Sequence, residues 1–317
     1  MGRFLGRRIF RRMILLYMIM LSSSLLQAGE AELSKDPALT HLYTFAEGKG
    51  LRARNLQDNA PFSDMVIAGR GVFAGGGKED NEDYPCWVTG RRPGTSALSI
   101  GTTKRRFGSI GRTHFYGVEG KNFSVAMWVR VPDGTAPVVF ASVGNGYSNG
   151  WRINRNGSGV DFVLGREPGA GAGKGIVVAT APDCLRSHVW QQFVAVLNDS
   201  RLQLFVDGKL AGEQEFDGIY RHPETPAVRH QKPELDTRGG LQLGATASQK
   251  HSSRFDIDEL AIYSRALEAA EVAKLYTAGK PELSPEEQIT QHKAELARQK
   301  QLDGITIELP KDTFGYF

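Results

Sequence analysis

The chain has 317 residues, of which 40% are hydrophobic, and a formal net charge of +4. This length allows one large domain or two small ones, and the hydrophobic fraction is enough to build a core. The net positive charge comes from five arginines among the first 12 residues of the chain. It therefore does not indicate a nucleic-acid-binding protein, whose basic residues cluster on one face of the folded domain.

Residues 1–29 have the organisation of a secretory signal peptide. Five arginines precede an apolar run over Met13–Leu21, and small residues follow up to Gly29. The run is shorter than the roughly 20 residues of a membrane-spanning helix, although an uncleaved N-terminal anchor is the alternative. Without residues 1–29, Lys+Arg falls from 39 to 34 against 35 Asp+Glu, a net charge near −1. The sequence predicts an exported protein, secreted or in the periplasm or cell envelope, that meets a membrane only through an uncleaved leader.

After the leader, short strand-like segments alternate with turn residues. The clearest is Phe123–Val131, where every second side chain is large and apolar. This period of two predicts a strand with Phe123, Val125, Met127 and Val129 in the core. No strand–helix alternation is present, so an antiparallel sandwich or barrel is predicted rather than a parallel sheet. The other predicted strands are His41–Phe45, Asp64–Ala68, Ala97–Ile100, Val138–Val143, Trp151–Asn154, Val160–Leu164, Ile176–Ala179, Val189–Leu197, Arg201–Val206, Leu241–Leu243 and Phe255–Tyr263.

Two helices are predicted after the last strand. The first covers 265–278, with Ser264 as its N-cap and an apolar stripe along one face. The second opens with a capping box that begins at Ser284, and its apolar stripe is thin. We therefore expect the second helix to lie on the surface or to project. It belongs to a C-terminal helical extension and tail over residues 280–317.

Several segments, taken in order, resemble the laminin-G-like jelly roll of the concanavalin A-like lectin/glucanase superfamily. Phe123–Val131 resembles a strand of that family with a central tryptophan, and Trp190–Ala195 is similar to its WHHVA strand. Leu204–Lys209 is similar to its LYVDG hairpin, and Ile257–Leu267 resembles its closing strand and helix entry. These segments cover roughly residues 38–279. The resemblance implies an all-β, two-sheet antiparallel jelly-roll sandwich with one packed C-terminal helix.

The superfamily contains lectins, carbohydrate-binding modules, adhesion modules and glycosidases, so the fold alone does not determine the function. The favoured function is an exported, non-catalytic module that binds a glycan or another cell-surface or matrix component, including an extracellular protein. The alternative is a structural or protein-interaction domain in the envelope. The polar C-terminal helix and the aromatic tail support that alternative.

Sugar sites combine aromatic surfaces with hydrogen-bonding groups. Trp128 and Arg130 share the face of their strand opposite Phe123, while Trp151 and Arg152 lie at a loop. These four residues are the candidate ligand-binding residues. The alternative role for Trp128 is that of a core tryptophan of the family.

Glycoside hydrolysis is the second alternative, because some relatives catalyse it with two facing carboxylates. Asp256 and Asp258 lie two residues apart on a predicted strand and would share a face. Laminarinase-type relatives carry a longer Glu-x-Asp-x-x-Glu motif in the middle of a sheet, and this chain lacks both of its glutamates. The sequence therefore favours a protein that is not an enzyme.

A structural calcium ion is the cofactor that the resemblance implies. In the family it joins the opening loop to the closing strand, and Asp58 and Asp258 match positions that would supply carboxylates. Glu47 is a weaker candidate, and oxygen ligands of this kind suit Ca²⁺. The alternative role for Asp258 is a hydrogen bond to nearby backbone.

Cys86 and Cys184 are the two cysteines of the chain. In an exported protein they can form a disulfide. Closing so long a loop would add about 4–5 kcal/mol in the chain-entropy model. The alternative is two separate thiols.

Overall fold

The computed structural model describes residues 35–50, 52–57, 64–68, 86–100, 107–109, 122–134, 136–143, 150–165, 176–216, 241–244 and 254–303. The predicted signal peptide, Asp58 and residues 304–317 lie outside these ranges. In chain order, the strands are β1 (Leu39–Tyr43), β2 (Arg52–Ala53), β3 (Met65–Ala68), β4 (Cys86–Thr89), β5 (Ser96–Ile100), β6 (Phe107–Ser109), β7 (Asn122–Arg130), β8 (Val139–Val143), β9 (Trp151–Asn156), β10 (Gly159–Gly165), β11 (Ile176–Ala181), β12 (Gln191–Asn198), β13 (Arg201–Val206), β14 (Lys209–Glu215), β15 (Leu241–Leu243) and β16 (Phe255–Tyr263).

The strands form two antiparallel sheets. The first sheet has the order β14-β13-β12-β7-β16-β5-β4, and β1 also pairs with β16. The second sheet has the order β11-β10-β9-β8-β15-β6-β3-β2. In each sheet, hairpin pairs are combined with neighbours that are far apart in sequence, such as β7 with β16 and β8 with β15, as in a jelly roll rather than a simple meander. The predicted all-β, two-sheet sandwich is confirmed.

The core lies between the two sheets, where every second residue of each strand points inward. Phe123, Val125, Met127 and Val129 of β7 are at most 2% exposed and belong to this core, as their period of two predicts. Phe140 of β8 stacks on Phe193 of β12 across the core, with ring centroids 5.9 Å apart. The hydrophobic effect on this shared inner layer therefore holds the two sheets together.

Strand β16 changes its inward face part-way along. Ile257 points into the core, but so does Leu260, three residues later. A β-bulge between Asp258 and Leu260 causes the change, and Glu259 takes a left-handed φ of 56° there. Because a bulge inserts one extra residue, it reverses the alternation. Asp256 and Asp258 both stay on the outer face.

Helix α1 (Ala269–Gly279) packs on the outer face of the first sheet. Val272 and Leu275 contact an apolar patch formed by Val194, Val196 and Phe205 among others. The N-cap is Glu268 rather than the predicted Ser264, so the helix begins later than expected. Ser264 instead donates its backbone N–H to the carbonyl of Ala38, at 2.8 Å, and so continues the pairing with β1.

Helix α2 (Pro285–Asp303) also packs on the first sheet. Its predicted capping box is present, because Ser284 N–H donates to Glu287 Oε2 at 2.8 Å and Glu287 N–H donates to Ser284 Oγ at 3.3 Å. Of the two expected placements, the helix lies on the surface rather than projecting, and Gln288 and His292 on its inner side are only 6% and 1% exposed. The described residues include no helix that is long and apolar enough to cross a membrane.

Candidate functional site

The outer face of the first sheet carries two of the predicted ligand-binding residues. The alternation of β7 sends Trp128 and Arg130 to that face, as predicted. Register places Trp128 opposite Asp258 and Arg130 opposite Asp256. All four residues are at most 4% exposed. The two helices contact Trp128, Arg130 and Asp256, and Arg91 contacts Asp258.

Arg130 lies at the centre of a buried ionic cluster. Its Nε donates to Asp256 Oδ2 at 2.9 Å, and its Nη2 lies 3.1 Å from Oε2 of Glu295 on α2. Its guanidinium lies 4.7 Å from the centroid of the Trp190 ring. Burial opposes ionisation of Asp256, but Arg130 and His292 outweigh it and hold the pKa of that carboxyl well below its usual range. The charge of Arg130 is therefore already compensated within the protein.

Trp128 is enclosed in a similar way by α1. Its ring stacks on Tyr276 at a centroid distance of 5.8 Å, and the guanidinium of Arg91 lies 5.1 Å from the ring. Gly279 allows this close packing, because a Cβ there would lie 2.9 Å from the indole nitrogen of Trp128. No part of this ring is available for stacking on a ligand while α1 stays in place.

Trp151 and Arg152 lie on opposite faces of β9. Trp151 points into the core and its ring lies 5.8 Å from that of Phe123. Arg152 points to the outer face of the second sheet, between Ser142 and Val163 in the neighbouring strands. The structure therefore does not bring the four candidates together, and their role in ligand binding stays a prediction.

The outer face of the second sheet is polar where β9, β10 and β11 meet. Asn154, Asp161 and Thr180 lie directly opposite one another in these strands. Thr180 Oγ1 donates to Asp161 Oδ1 at 2.8 Å, and Asn156 Nδ2 donates to Asp161 Oδ2 at 3.0 Å. Thr180 and Asn156 are exposed, and Asn154 and Asp161 are partly exposed. We call these four residues the polar row.

The residues proposed for calcium do not form a common site in the described structure. The N–H of Arg91 donates to Asp258 Oδ2 at 2.8 Å, and the Arg91 guanidinium lies 3.9 Å from Oδ1. Glu47 Oε1 accepts a hydrogen bond from Arg54 N–H at 2.8 Å. Asp258 is thus paired with an arginine in the described structure. The calcium site stays a prediction, and Asp58, its other main ligand, lies outside the described residues.

In the ranges that the structure describes, no group of three or more His, Cys, Asp and Glu side chains is arranged to hold an ion. Burial, the main effect, raises the pKa of Asp258 to about 6 against the pull of Arg91. A hydrogen bond to nearby backbone, the alternative role for Asp258, is present in the contact with Arg91 N–H.

Cys184 carries a free thiol, and burial raises its pKa to about 11. Its carbonyl accepts a hydrogen bond from Gln191 Nε2 at 2.8 Å. Cys86 pairs through its backbone with Ser99, and its side chain lies outside the described residues. The disulfide between Cys86 and Cys184 therefore stays a prediction that this structure does not support.

The polar contact surface of α2 was not among the features predicted from the sequence. Gln288, His292, Glu295 and Gln299 follow one another at intervals of four, three and four residues. Side chains with this spacing lie on one face of a helix. The signal was therefore present in the sequence, but it is a stripe of polar residues, and the prediction considered only apolar stripes.

The family model of the concanavalin A-like lectin/glucanases superfamily matches residues 112–273, about half of the chain. This chain belongs to that superfamily. The match includes β7 to β16 and the beginning of α1, and therefore both the polar row and the covered face of the first sheet. A lectin-like fold of this kind supports a binding module.

Solved structures similar to this superfamily member include binding domains of clostridial toxins. The botulinum neurotoxin serotype D binding domain matches at TM-score 0.51 and 10% identity, over 76% of this chain and 52% of that one. The binding domain of Paraclostridial Mosquitocidal Protein 1 matches at TM-score 0.51 and 14% identity, over 75% and 52%. The binding domain of botulinum neurotoxin DC in complex with SialylT matches at TM-score 0.51 and 10% identity, over 76% and 52%.

This chain therefore spans about half the length of these binding domains, and at such low identity the likeness shows the fold alone. No curated protein sequence matches the chain.

Proposed function

We propose that this chain is an exported, non-catalytic module that binds a glycan of the cell surface or matrix, and that the glycan binds to the outer face of the second sheet. One observation carries the proposal. Of the two outer faces of the sandwich, that of the first sheet is covered by α1 and α2, whereas the second presents the polar row to solvent.

The chemistry of the polar row suits a sugar. An amide, a carboxylate and a hydroxyl group offer both donors and acceptors, which is what neighbouring sugar hydroxyls need. The hydrogen bonds from Thr180 and Asn156 hold the Asp161 carboxylate in one orientation. A group that is already oriented loses less conformational freedom when a ligand binds.

The polar row continues towards the centre of the second sheet. Arg152 lies next to Ser142, which in turn lies opposite Gln242 of β15. These three side chains are buried, at 8%, 0% and 4% exposure. They extend the polar character of the face below its exposed part, and the role predicted for Arg152 in ligand binding stays a prediction. Trp128, Arg130 and Trp151 do not contribute to this face.

The solved neighbours give general support for a glycan-type partner. They are binding domains, and one of them was solved in complex with SialylT. Two carboxylates that faced an open cleft would have favoured an enzyme. Asp256 and Asp258 are instead buried, and each contacts an arginine.

The test is a glycan array probed with the mature protein, with and without a chelator. Asp161→Ala removes the central group of the polar row, and Gln203→Ala, at a partly exposed position of β13 in the other sheet, is the matched control. We expect binding that Asp161→Ala abolishes and Gln203→Ala retains. An equal effect of both variants would refute the site, and no binding at all would favour the envelope interaction domain. Turnover of a bound polysaccharide would identify an enzyme.

Export is part of the proposal and has its own test. The arginine-rich start and the short apolar run before Gly29 support cleavage near residue 29. We expect the intact mass of exported protein to lack residues 1–29 or a segment close to it. A mass that includes Met1 would contradict cleavage.

A further inference from the structure

Helix α2 is held on the first sheet by polar groups. Trp190 N–H donates to Gln288 Oε1 and Thr89 N–H donates to Glu295 Oε1, both at 2.9 Å. Arg254 Nη2 donates to Gln299 Oε1 near the end of the helix. A buried polar group that loses its partner is costly. Where a partner is ionisable, a change in its ionisation can remove the contact, so docking of this kind can depend on pH.

At the centre of this contact, His188 and His292 meet through their Nδ1 atoms, which are 3.1 Å apart. Two such nitrogens form a hydrogen bond only when one carries a proton and the other offers its lone pair. On the far side of each ring, Nε2 faces a carboxylate. His188 Nε2 lies 2.9 Å from Asp133 Oδ2, and His292 Nε2 lies 3.2 Å from Asp256 Oδ2.

The contact between the rings limits the number of protons that the docked pair can hold. One Nδ1 carries a proton and the other must keep its lone pair. At least one ring is therefore neutral. Protonation of both rings would place two N–H groups head to head at the same buried point. The charged groups around the pair are Asp133, Asp256, Glu295, Arg130, Lys293 and Arg254.

We propose that His188 and His292 form a proton-operated clasp, which holds α2 on the first sheet at neutral pH and releases it in acid. Release uncovers a face made by Trp190, Arg130 and Asp256, which are 3%, 2% and 1% exposed while the helix is docked. Protonation of the neutral ring removes the only acceptor in the contact between the two imidazoles. It also adds positive charge beside Arg130.

The sign of the pH dependence follows from His292. Burial lowers its pKa from the ordinary value of 6.5, an effect that Asp256 opposes and Arg130 reinforces. The released helix exposes the ring to water, so release takes up a proton. Docking therefore weakens as the pH falls below about 6.5.

Hydrogen exchange with mass spectrometry tests the clasp on the whole mature protein at about pH 7.5 and about pH 5, the range in which histidine titrates. The exchange of residues 285–303, corrected for the intrinsic rate, is compared with that of residues 191–206 in β12 and β13. We expect the helix to exchange at least about tenfold faster in acid while the strands stay protected, since each pH unit changes the equilibrium up to tenfold per proton. Equal protection of the helix at both pH values would overturn the proposal.

Two variants show whether these histidines are responsible. His292→Gln removes the titrating ring, and His188→Asn does so with a residue that tolerates the left-handed φ of 66° at this position. We expect either variant to abolish the pH dependence of exchange in the helix. His41→Gln, which replaces a buried histidine on β1, should retain it. A pH response that survives in both clasp variants, or that His41→Gln abolishes, would contradict the proposal.

Discussion

The two outer faces of the sandwich differ in what lies against them. The first sheet carries α1 and α2, whereas in the described residues no helix lies on the second sheet. A surface covered by its own chain has its charges and rings already paired. The difference supports the proposal that the polar row, rather than the tryptophan- and arginine-rich face of the first sheet, meets a ligand.

The two helices differ as well. Helix α1 docks through Val272 and Leu275, whereas α2 docks through His292 and Glu295. Apolar docking does not depend on protonation, but ionic docking does. The outer face of the first sheet is therefore covered by α1 through contacts that do not depend on pH. It is covered by α2 through contacts that, in the proposed clasp, do depend on pH.

The largest expected effect comes from Asp256→Asn. This change removes the ionised partner of Arg130, leaving a buried cation with fewer contacts. We expect a loss of about 3–5 kcal/mol in the free energy of unfolding, measured by urea denaturation. Asp161→Asn in the polar row is the control and should stay within about 0.5 kcal/mol of wild type, because its side chain is partly exposed. Equal effects of the two variants would remove the distinction between the faces.

Leu275→Ala should cause the second-largest loss in the free energy of unfolding. The side chain is 8% exposed and packs between α1 and the first sheet. We expect a loss of about 2–3 kcal/mol from the transfer and cavity contributions. The loss should be the same at pH 7.5 and at pH 6, because no ionisable group takes part. A loss that changes with pH would mean that the two helices dock as one unit.

Glu295→Gln should have a smaller, local effect. The variant keeps an oxygen that can accept from Thr89 N–H but loses the ion pair with Arg130. We expect a cost of about 1–2 kcal/mol, seen mainly as faster hydrogen exchange in 285–303. Glu286→Gln, at an exposed position of the same helix, is the control. If both variants exchange alike, Glu295 does not hold the helix.

The smallest expected effect is that of calcium. Arg91 already compensates Asp258, so we expect a chelator to leave the melting temperature unchanged. Thermal melts with calcium and with chelator measure this. If calcium raises the melting temperature and Asp258→Asn removes the rise, the calcium site predicted from the sequence is real.

Strand β7 shows which features of the structure the sequence predicts and which it does not. Its alternation predicted both faces correctly, with Val125 inside and Trp128 outside. Alternation cannot show what covers an outer face, since that depends on where a distant helix packs. Trp128 and Arg130 were therefore chosen as ligand-binding candidates although α1 and α2 enclose them. The bulge at Glu259 and the polar face of α2 were missed for a related reason, because both break the simple rule that apolar periodicity marks every buried face.

Mapping a bound glycan by hydrogen exchange tests the central claim most directly. The ligand is the strongest binder from the array, and exchange is compared with and without it at pH 7.5. We expect added protection in residues 151–165 and 176–181 of the second sheet, and none in α2 or β7. Protection concentrated in α2 and β7, with the second sheet unchanged, would contradict the account and move the binding site to the first sheet.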